Sequence, residues 1–455
     1  MTLTATAVDT ASTPRFSGRE RAILLVLLGA GFMLSVDFSI LNVALPMAGA
    51  GVGLGTEALP WITTAFALPA AGFTLLFGRL SDVYGRLRFF LSAMVVLTLA
   101  SLLGGFATSP ETLLTARVLQ GFATAMAIPT GLALLTTAFP EGPRRERVLG
   151  LNGALLSGGF TIGALVGGVL VSALGWRAAF FINVPVAVTI LAAAPVLLAE
   201  SKTTTRAKLD VAGAISVTGG LLALVYGVVE QSVPAALVGA LLLGAFWMIE
   251  VRSPAPLVAV SILRRPTVKW GNYAGLVIFS MEPAMIFLTT LYLQSVLDLS
   301  PLQTGLVFGV PGLASVAAGV LAGRFIGRWG SATVLVAGMT VQALATLPLV
   351  FLGTDRTALA VLLPALFIGF FGHVAAIVAF MVTGTSGLPD EEQGLATGLA
   401  SMTQQIGITI GIPVLGAVAA LHSAQLTGIR LALAVNVAVT LVSVVLIGRG
   451  LRRRV

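Results

Sequence analysis

Charge is scarce in this chain. Of its 455 residues 10% are charged and 57% are hydrophobic, whereas soluble domains carry about a quarter charged residues. A soluble core stops growing as chains lengthen and split into domains, so this much apolar surface excludes a water-soluble protein and must meet lipid. Cysteine is absent, which excludes disulfides and thiolate-held metals and leaves the redox compartment unread. Histidine occurs only as His373 and His422. No metal-ligand cluster can be built from them, and neither metal nor other cofactor is expected. No Gly-Lys-Ser/Thr phosphate loop occurs, which argues against ATP as the driving force. No nucleophile, base and acid fall in an arrangement that suggests an enzyme. No cleavable signal peptide is evident. The first apolar run is too long for an h-region, and it follows a Thr/Ala/Ser-rich segment that makes 1–20 read as a disordered cytoplasmic tail.

Long apolar runs are what the sequence has instead. A bilayer core takes about 20 apolar residues per helix. Such runs stand at 22–48, 58–79, 89–107, 112–138, 148–174, 179–199, 209–229, 234–250, 270–296, 302–323, 331–353, 357–385, 393–421 and 428–448. They are too long and too evenly apolar for barrel strands, and a helix satisfies its own backbone in lipid. The expected class is an all-α integral membrane protein with about fourteen transmembrane helices.

The net charge of +8 resembles a nucleic-acid signal until the charges are placed. With the N-terminus inside, basic clusters such as Arg79, Arg86 and Arg88, or Arg144, Arg145 and Arg147, or Lys202, Arg206 and Lys208, all fall on inside segments. Outside connections hold Arg177, Arg356 and Arg430, and Arg117 lies within a span. The positive-inside rule then puts both termini in the cytoplasm. The acidic inside loop of Asp390, Glu391 and Glu392 counts little in that rule. No nucleic-acid partner is expected.

The chain also repeats itself. Gly78-Arg79-Leu80-Ser81-Asp82-Val83-Tyr84-Gly85 follows the second run, and Gly323-Arg324-Phe325-Ile326-Gly327-Arg328-Trp329-Gly330 follows the tenth. Gly159, Gly163 and Gly167 of the fifth run are answered by Gly407 and Gly411 of the thirteenth. The repeat implies an N-terminal six-helix bundle over 21–200, a linker with two additional helices over 201–266, a C-terminal six-helix bundle over 267–449 and a basic cytoplasmic tail over 450–455. Repeats of this kind suggest a transporter with its site between the halves.

Asp37 lies near the middle of the first run. A charge at the bilayer centre costs roughly 2.5–3.5 kcal/mol on insertion scales, so Asp37 should face the bundle interior. Burial penalises its ionised form, which makes reversible protonation possible. It reads as a proton carrier or as counter-ion to a cationic substrate. The plainer alternative is a buried acid bonded only to neighbouring helices. Glu282 directly precedes Pro283 in the ninth run. Pro283 cannot donate to the carbonyl of Phe279, so a kink is expected. An acid at such a kink suggests a second substrate or proton site, unless Ser280 or a facing helix merely satisfies it. His373, flanked by Gly369 and Gly372, reads as a proton relay, against the commoner case of a packed histidine. Gly159, Gly163 and Gly167, with Gly168 beside them, form one face that lets helix backbones approach closely, a packing seam without chemistry.

Six segments in order carry a family resemblance. They are Asp37-Phe38-Ser39-Ile40-Leu41-Asn42-Val43-Ala44-Leu45-Pro46, Gly78 to Arg88, Arg117-Val118-Leu119-Gln120-Gly121, Gly159 to Gly168, Trp176-Arg177 with Phe181-Ile182-Asn183-Val184-Pro185, and Tyr292-Leu293-Gln294 before Ser300-Pro301. Over nearly the whole chain they resemble the major facilitator superfamily, specifically its fourteen-span drug:proton antiporter branch. Ala164 stands where the antiporter signature usually has Pro, and Gly327 stands where the first loop copy has Asp82.

The resemblance implies the major facilitator fold, two six-helix bundles plus two inserted helices, as a monomer in a bacterial inner membrane. It implies proton-coupled efflux of small amphipathic, cationic or drug-like molecules by alternating access. It makes Arg117 a proton-coupling residue. Its guanidinium stays charged and needs an acid, carbonyls or water, with Asp37 or a water chain as partner, or else it is a structural tie. It makes Gly78, Asp82, Gly85 and Arg86 a cytoplasmic gate in which Asp82 meets a helix N-terminus across the halves. Asn42 and Gln294, polar members of these signatures, are expected to line the substrate site with Asp37 and Glu282. Two rival readings stand: an exporter of an endogenous metabolite or self-made antibiotic, and a non-transporting membrane sensor. A mere membrane scaffold would not need Asp37, Arg117 and Glu282 inside lipid.

Overall fold

The apolar runs fold as helices separated by short breaks: α1 (Gly18–Gly51), α2 (Pro60–Tyr84), α3 (Arg86–Gly105), α4 (Pro110–Ala138), α5 (Pro143–Leu174), α6 (Ala178–Leu197), α7 (Val211–Val229), α8 (Val233–Arg252), α9 (Pro266–Leu291), α10 (Pro301–Trp329), α11 (Ser331–Thr346), α12 (Leu359–Thr385), α13 (Asp390–Ala420) and α14 (Gln425–Arg452). The computed structural model describes residues 16–139, 143–201, 210–253, 260–386, 388 and 390–452. The expectations for the tail before residue 16, for Lys202, Arg206 and Lys208, and for Arg453 and Arg454 lie outside the described residues. Among those described there is no strand. Among the described residues eleven helices are long and apolar enough to cross a membrane, or twelve when α2, bent by 49° after Thr74, counts as one span.

The breaks follow local chemistry. Ser17 opens α1 with a capping box, accepting from the Glu20 backbone while Glu20 accepts from that of Ser17. Ser300 and Gln303 do the same for α10. Proline stands in the first turn of α2, α4, α9 and α10, where its missing N–H is no loss. Gly85 separates α2 from α3 at φ 118°, a conformation that a side chain would strain. A Cβ there would also stand 2.8 Å from the Glu200 carboxylate, which accepts from the Leu87 and Arg88 N–H groups opening α3.

Packing repeats across the chain. In the first six helices α1 packs on α5, α2 on α4, and α3 on α4 and α6. In the last six, α9 packs on α13, α10 on α12, and α11 on α12 and α14. The halves meet where α5 packs on α10 and α2 on α13. Helices α7 and α8 pair with each other, and α7 also reaches both α2 and α13. Thr218 of α7 donates to the Gly72 carbonyl at 2.8 Å, and Trp61 donates to Glu230 at 3.2 Å. The apolar window of α8 is only 11% buried, so α8 lies at the periphery. That of α9 is 94% buried, so α9 runs through the middle.

The kink expected at Pro283 is not a break. Helix α9 continues to Leu291 and passes into a π-helical turn, Tyr292–Val296. Gly407 and Gly411 of α13 pack directly on the backbone around Phe279 and Ser280, and a neighbouring helix so close lets a membrane helix tolerate proline.

Candidate functional site

Asp37 sits inside the first six helices with 1% of its surface exposed. Two of the facing helices, α4 and α6, bring it polar groups. From α4, Arg117 Nη1 lies 3.2 Å from Asp37 Oδ2 and donates to Gln120 Oε1 at 2.7 Å. Gln120 Nε2 donates to Asp37 Oδ1 at 3.2 Å and to Ser101 Oγ of α3 at 3.1 Å. From α6, Asn183 Nδ2 donates to Asp37 Oδ1 and, at 3.2 Å, to Ser101 Oγ. Arg117 Nε donates to the Ile62 carbonyl of α2 at 3.1 Å, and the guanidinium lies over the Phe66 ring, 4.3 Å from its centroid. A buried ion pair holds only when its remaining hydrogen-bonding groups are largely met as well; Gln120, Asn183 and the Ile62 carbonyl meet most of them, and Arg117 Nη2 is left without a hydrogen-bond partner among the described residues. Gln120 and Asn183 lie within the signature segments with no role that the sequence assigns, and Ser101 lies outside them. Their signal was a polar side chain inside an apolar run.

The second half repeats the theme more loosely. Glu282 of α9 and His373 of α12 are both buried, with His373 Nε2 3.9 Å from Glu282 Oε2. That is an ion pair only when the imidazole carries a proton. His373 Nδ1 lies 3.4 Å from Gln342 Oε1 of α11, and Asn436 of α14 donates to the Met281 carbonyl at 2.7 Å. Each acid thus stands on the first helix of its half, its basic partner on the fourth, and an asparagine on the sixth. Ser280 does not serve Glu282, because its hydroxyl donates to the Leu276 carbonyl.

The remaining predicted residues fall elsewhere. Asn42 Nδ2 donates to the Phe38 carbonyl at 3.0 Å, and its buried Oδ1 has no partner among the described residues. Gln294, in the π turn, donates to the Val43 carbonyl of α1 at 2.8 Å and so ties the halves together. Leu302 N to Ser172 Oγ at 2.9 Å and Thr409 Oγ1 to the Ala67 carbonyl at 3.1 Å also join the halves. Asp82 meets Arg86, at 2.8 Å, rather than a helix of the other half, and Arg86 also reaches Thr137 of α4 at 3.0 Å. Arg86 lies one turn after Asp82 and reaches it without any movement of the halves. Gly78 packs beside Pro129. Gly159, Gly163 and Gly167 seat on α1 from Phe32 to Ile40, whereas Gly168 faces Pro301 and Gly305 of α10. Cavities of about 450 Å³ beside Asp210 and Arg252 and of about 410 Å³ beside Asp355 lie away from both acids.

The geometry is that of two shielded acid–base centres within a repeated helical bundle, and the bundle has known counterparts. A profile of the Major Facilitator Superfamily matches residues 27–412. The chain is 36% identical to the cephamycin export protein CmcT of Amycolatopsis lactamdurans, over 91% of this chain and 88% of that one. It is 33% identical to the puromycin resistance protein pur8 of Streptomyces alboniger, over 87% and 81%. Among solved structures, the POT family transporter PepTSo superposes with a TM-score of 0.73 at 12% identity, over 96% of this chain and 98% of the other, a likeness of fold. With its profile matched across most of the chain and export proteins among its relatives, the chain belongs to the Major Facilitator Superfamily, whose members are membrane transporters and not enzymes.

Proposed function

We propose that this protein is a proton-coupled exporter of small drug-like molecules, working by alternating access in a bacterial inner membrane with both termini in the cytoplasm. The observation that carries the reading is the fully enclosed cluster of Asp37, Arg117, Gln120 and Asn183. Intramembrane acids held by a fixed cation mark proton relays. The names of the relatives, an export protein for cephamycin and a resistance protein for puromycin, support antibiotic-like cargo. They equally favour a second reading, export of an antibiotic that the host itself makes.

The proposed cycle uses Asp37 first and Glu282, with His373, second. A proton from outside neutralises an acid, cargo leaves, and release of the proton inside restores the charge that attracts the next cationic molecule. Asn42 and Gln294 are proposed cargo contacts. The free Oδ1 of Asn42 supports that role; Gln294 must first give up Val43. Both acids are enclosed in this conformer, which fits a machine that must rearrange to admit cargo. Asp82 and Arg86 form the gate of this scheme, with Asp82 exchanging Arg86 for a helix N-terminus of the second half in the other state. The reading takes the chain as a monomer with fourteen spans, 21–200 and 267–449 forming two bundles around the inserted pair. The apolar segments Ile162–Leu174 and Ile406–Ala420 within α5 and α13 support that count.

Efflux of a fluorescent cation from vesicles under an imposed pH gradient tests the proposal. Asp37→Asn should abolish gradient-driven efflux with expression intact. Undiminished antiport in that variant removes Asp37 from the mechanism.

A further inference from the structure

The two amides that hold Asp37 are not equivalent. Gln120 is engaged at both ends: its Oε1 accepts from Arg117 at 2.7 Å, and its Nε2 donates to Asp37 and Ser101. Turning it over would press an NH₂ group against the guanidinium. Asn183 is engaged at one end. Its Nδ2 donates to Asp37 and Ser101, while its Oδ1, in a residue with no exposed surface, has no partner among the described residues. Nothing described holds the carbonyl end in place.

An ionised carboxylate only accepts hydrogen bonds, whereas a protonated one carries an O–H that must donate. Gln120, locked by Arg117, can serve only the acceptor. Asn183 can serve both: its Nδ2 faces the carboxylate, and after a half-turn of the amide its Oδ1 faces the carboxyl O–H. Ser101 suits either orientation, since a hydroxyl both accepts and donates. After the break at Ile182, Asn183 is the first residue of the second helical segment of α6. We propose that Asn183 is a positioning residue whose side-chain amide reverses when Asp37 gains or loses its proton, so that each state of the carboxyl has a matched partner. This rests on the reading of Asp37 as the proton carrier. No proton passes to Asn183 itself.

Around Asp37 the charged group in contact among the described residues is Arg117, from α4. Helix α3 contributes Ser101, α2 contributes the Ile62 carbonyl and Phe66 ring that hold Arg117, and α5 meets α1 through glycines. Asn183→Leu keeps the number and branching of the side-chain heavy atoms and removes both polar atoms. Bonds to a charged group are worth more than bonds to a neutral one, so the ionised form loses more. The pH of half-maximal efflux should therefore rise by about one unit, a tenfold gain in proton affinity.

The experiment compares pH profiles of vesicle efflux for the wild type and Asn183→Leu. Alongside it, acid-minus-neutral infrared difference spectra are recorded on the purified wild type with ¹³C-labelled asparagine. The expected result is the alkaline shift, together with a label-sensitive asparagine amide band in the wild type that disappears in Asp37→Asn. An unshifted profile overturns the proposal, and so does the absence of that band, which decides the matter even if Asn183→Leu fails to assemble. Either negative result leaves the exporter reading standing as long as Asp37→Asn abolishes gradient-driven efflux.

Discussion

Arg117 uses two of its nitrogens on three partners, Asp37, Gln120 and the Ile62 carbonyl, and lysine cannot reproduce that fork. Arg117→Lys should lower transport at least about tenfold, the equivalent of one lost charged hydrogen bond. Arg117→Ala leaves Asp37 buried without its counter-charge, a loss of about 3–5 kcal/mol. A fall in the thermal midpoint in detergent, partly restored by Asp37→Ala in the same chain, checks this; an unchanged midpoint would show that the pair contributes no stability. At this scale the sequence revealed the charged members of the two buried clusters. Asp37, Arg117, Glu282 and His373 stand out because an ionisable group inside an apolar run is costly and so rarely idle. Gln120, Asn183, Ser101 and Gln342 did not stand out, because neutral amides and hydroxyls carry a smaller penalty and their roles emerge only when α3, α4, α6 and α11 come together.

Helix α5 shows what close approach demands of an element. A Cβ on Gly163 would stand 2.8 Å from that of Ser39 and 2.9 Å from the Val36 backbone, on the same stretch of α1 that carries Asp37. Gly163→Val should cost about 1–3 kcal/mol by overpacking and depress transport by displacing α1. Gly18→Ala, with open space around it, should change neither. Thermal unfolding of the two variants in detergent separates the cases, and equal midpoints would contradict the seam. The apolar runs made each helix legible, and the glycine spacing made a close-packing face on α5 legible, without saying that α1 fills it. The turning of Gly168 toward α10 was not legible, because one residue's step around a helix selects a different neighbour and the sequence carries no record of which helices adjoin. The unbroken course of α9 through Pro283 and the π turn beyond it depend likewise on α13 and α1 packed against that helix.

Across the whole molecule, hydrogen bonds join the halves at Val43 with Gln294, at Ser172 with Leu302 and at Ala67 with Thr409. These lie in the middle of the bundle or toward the end remote from the chain termini. If the halves rock, the ties must break once per cycle. A chain without cysteine allows a clean test: Ser172→Cys with Leu302→Cys should stop transport when oxidised and recover it on reduction. Equal transport in both states would mean that α5 and α10 do not part. The inserted α7, hydrogen-bonded to α2 and packed over α13, covers one of the two seams between the halves. The sequence announced the pair as an insertion but gave no sign of where it docks, because its apolar surface fits lipid and protein equally well.

The central claim is that Asp37 exchanges its proton against cargo. Proton release measured with a pH-sensitive dye, on adding a transported cation to the purified protein in detergent, tests it most directly. The account predicts a release from the wild type that Asp37→Asn lacks. The same release from both proteins would contradict it.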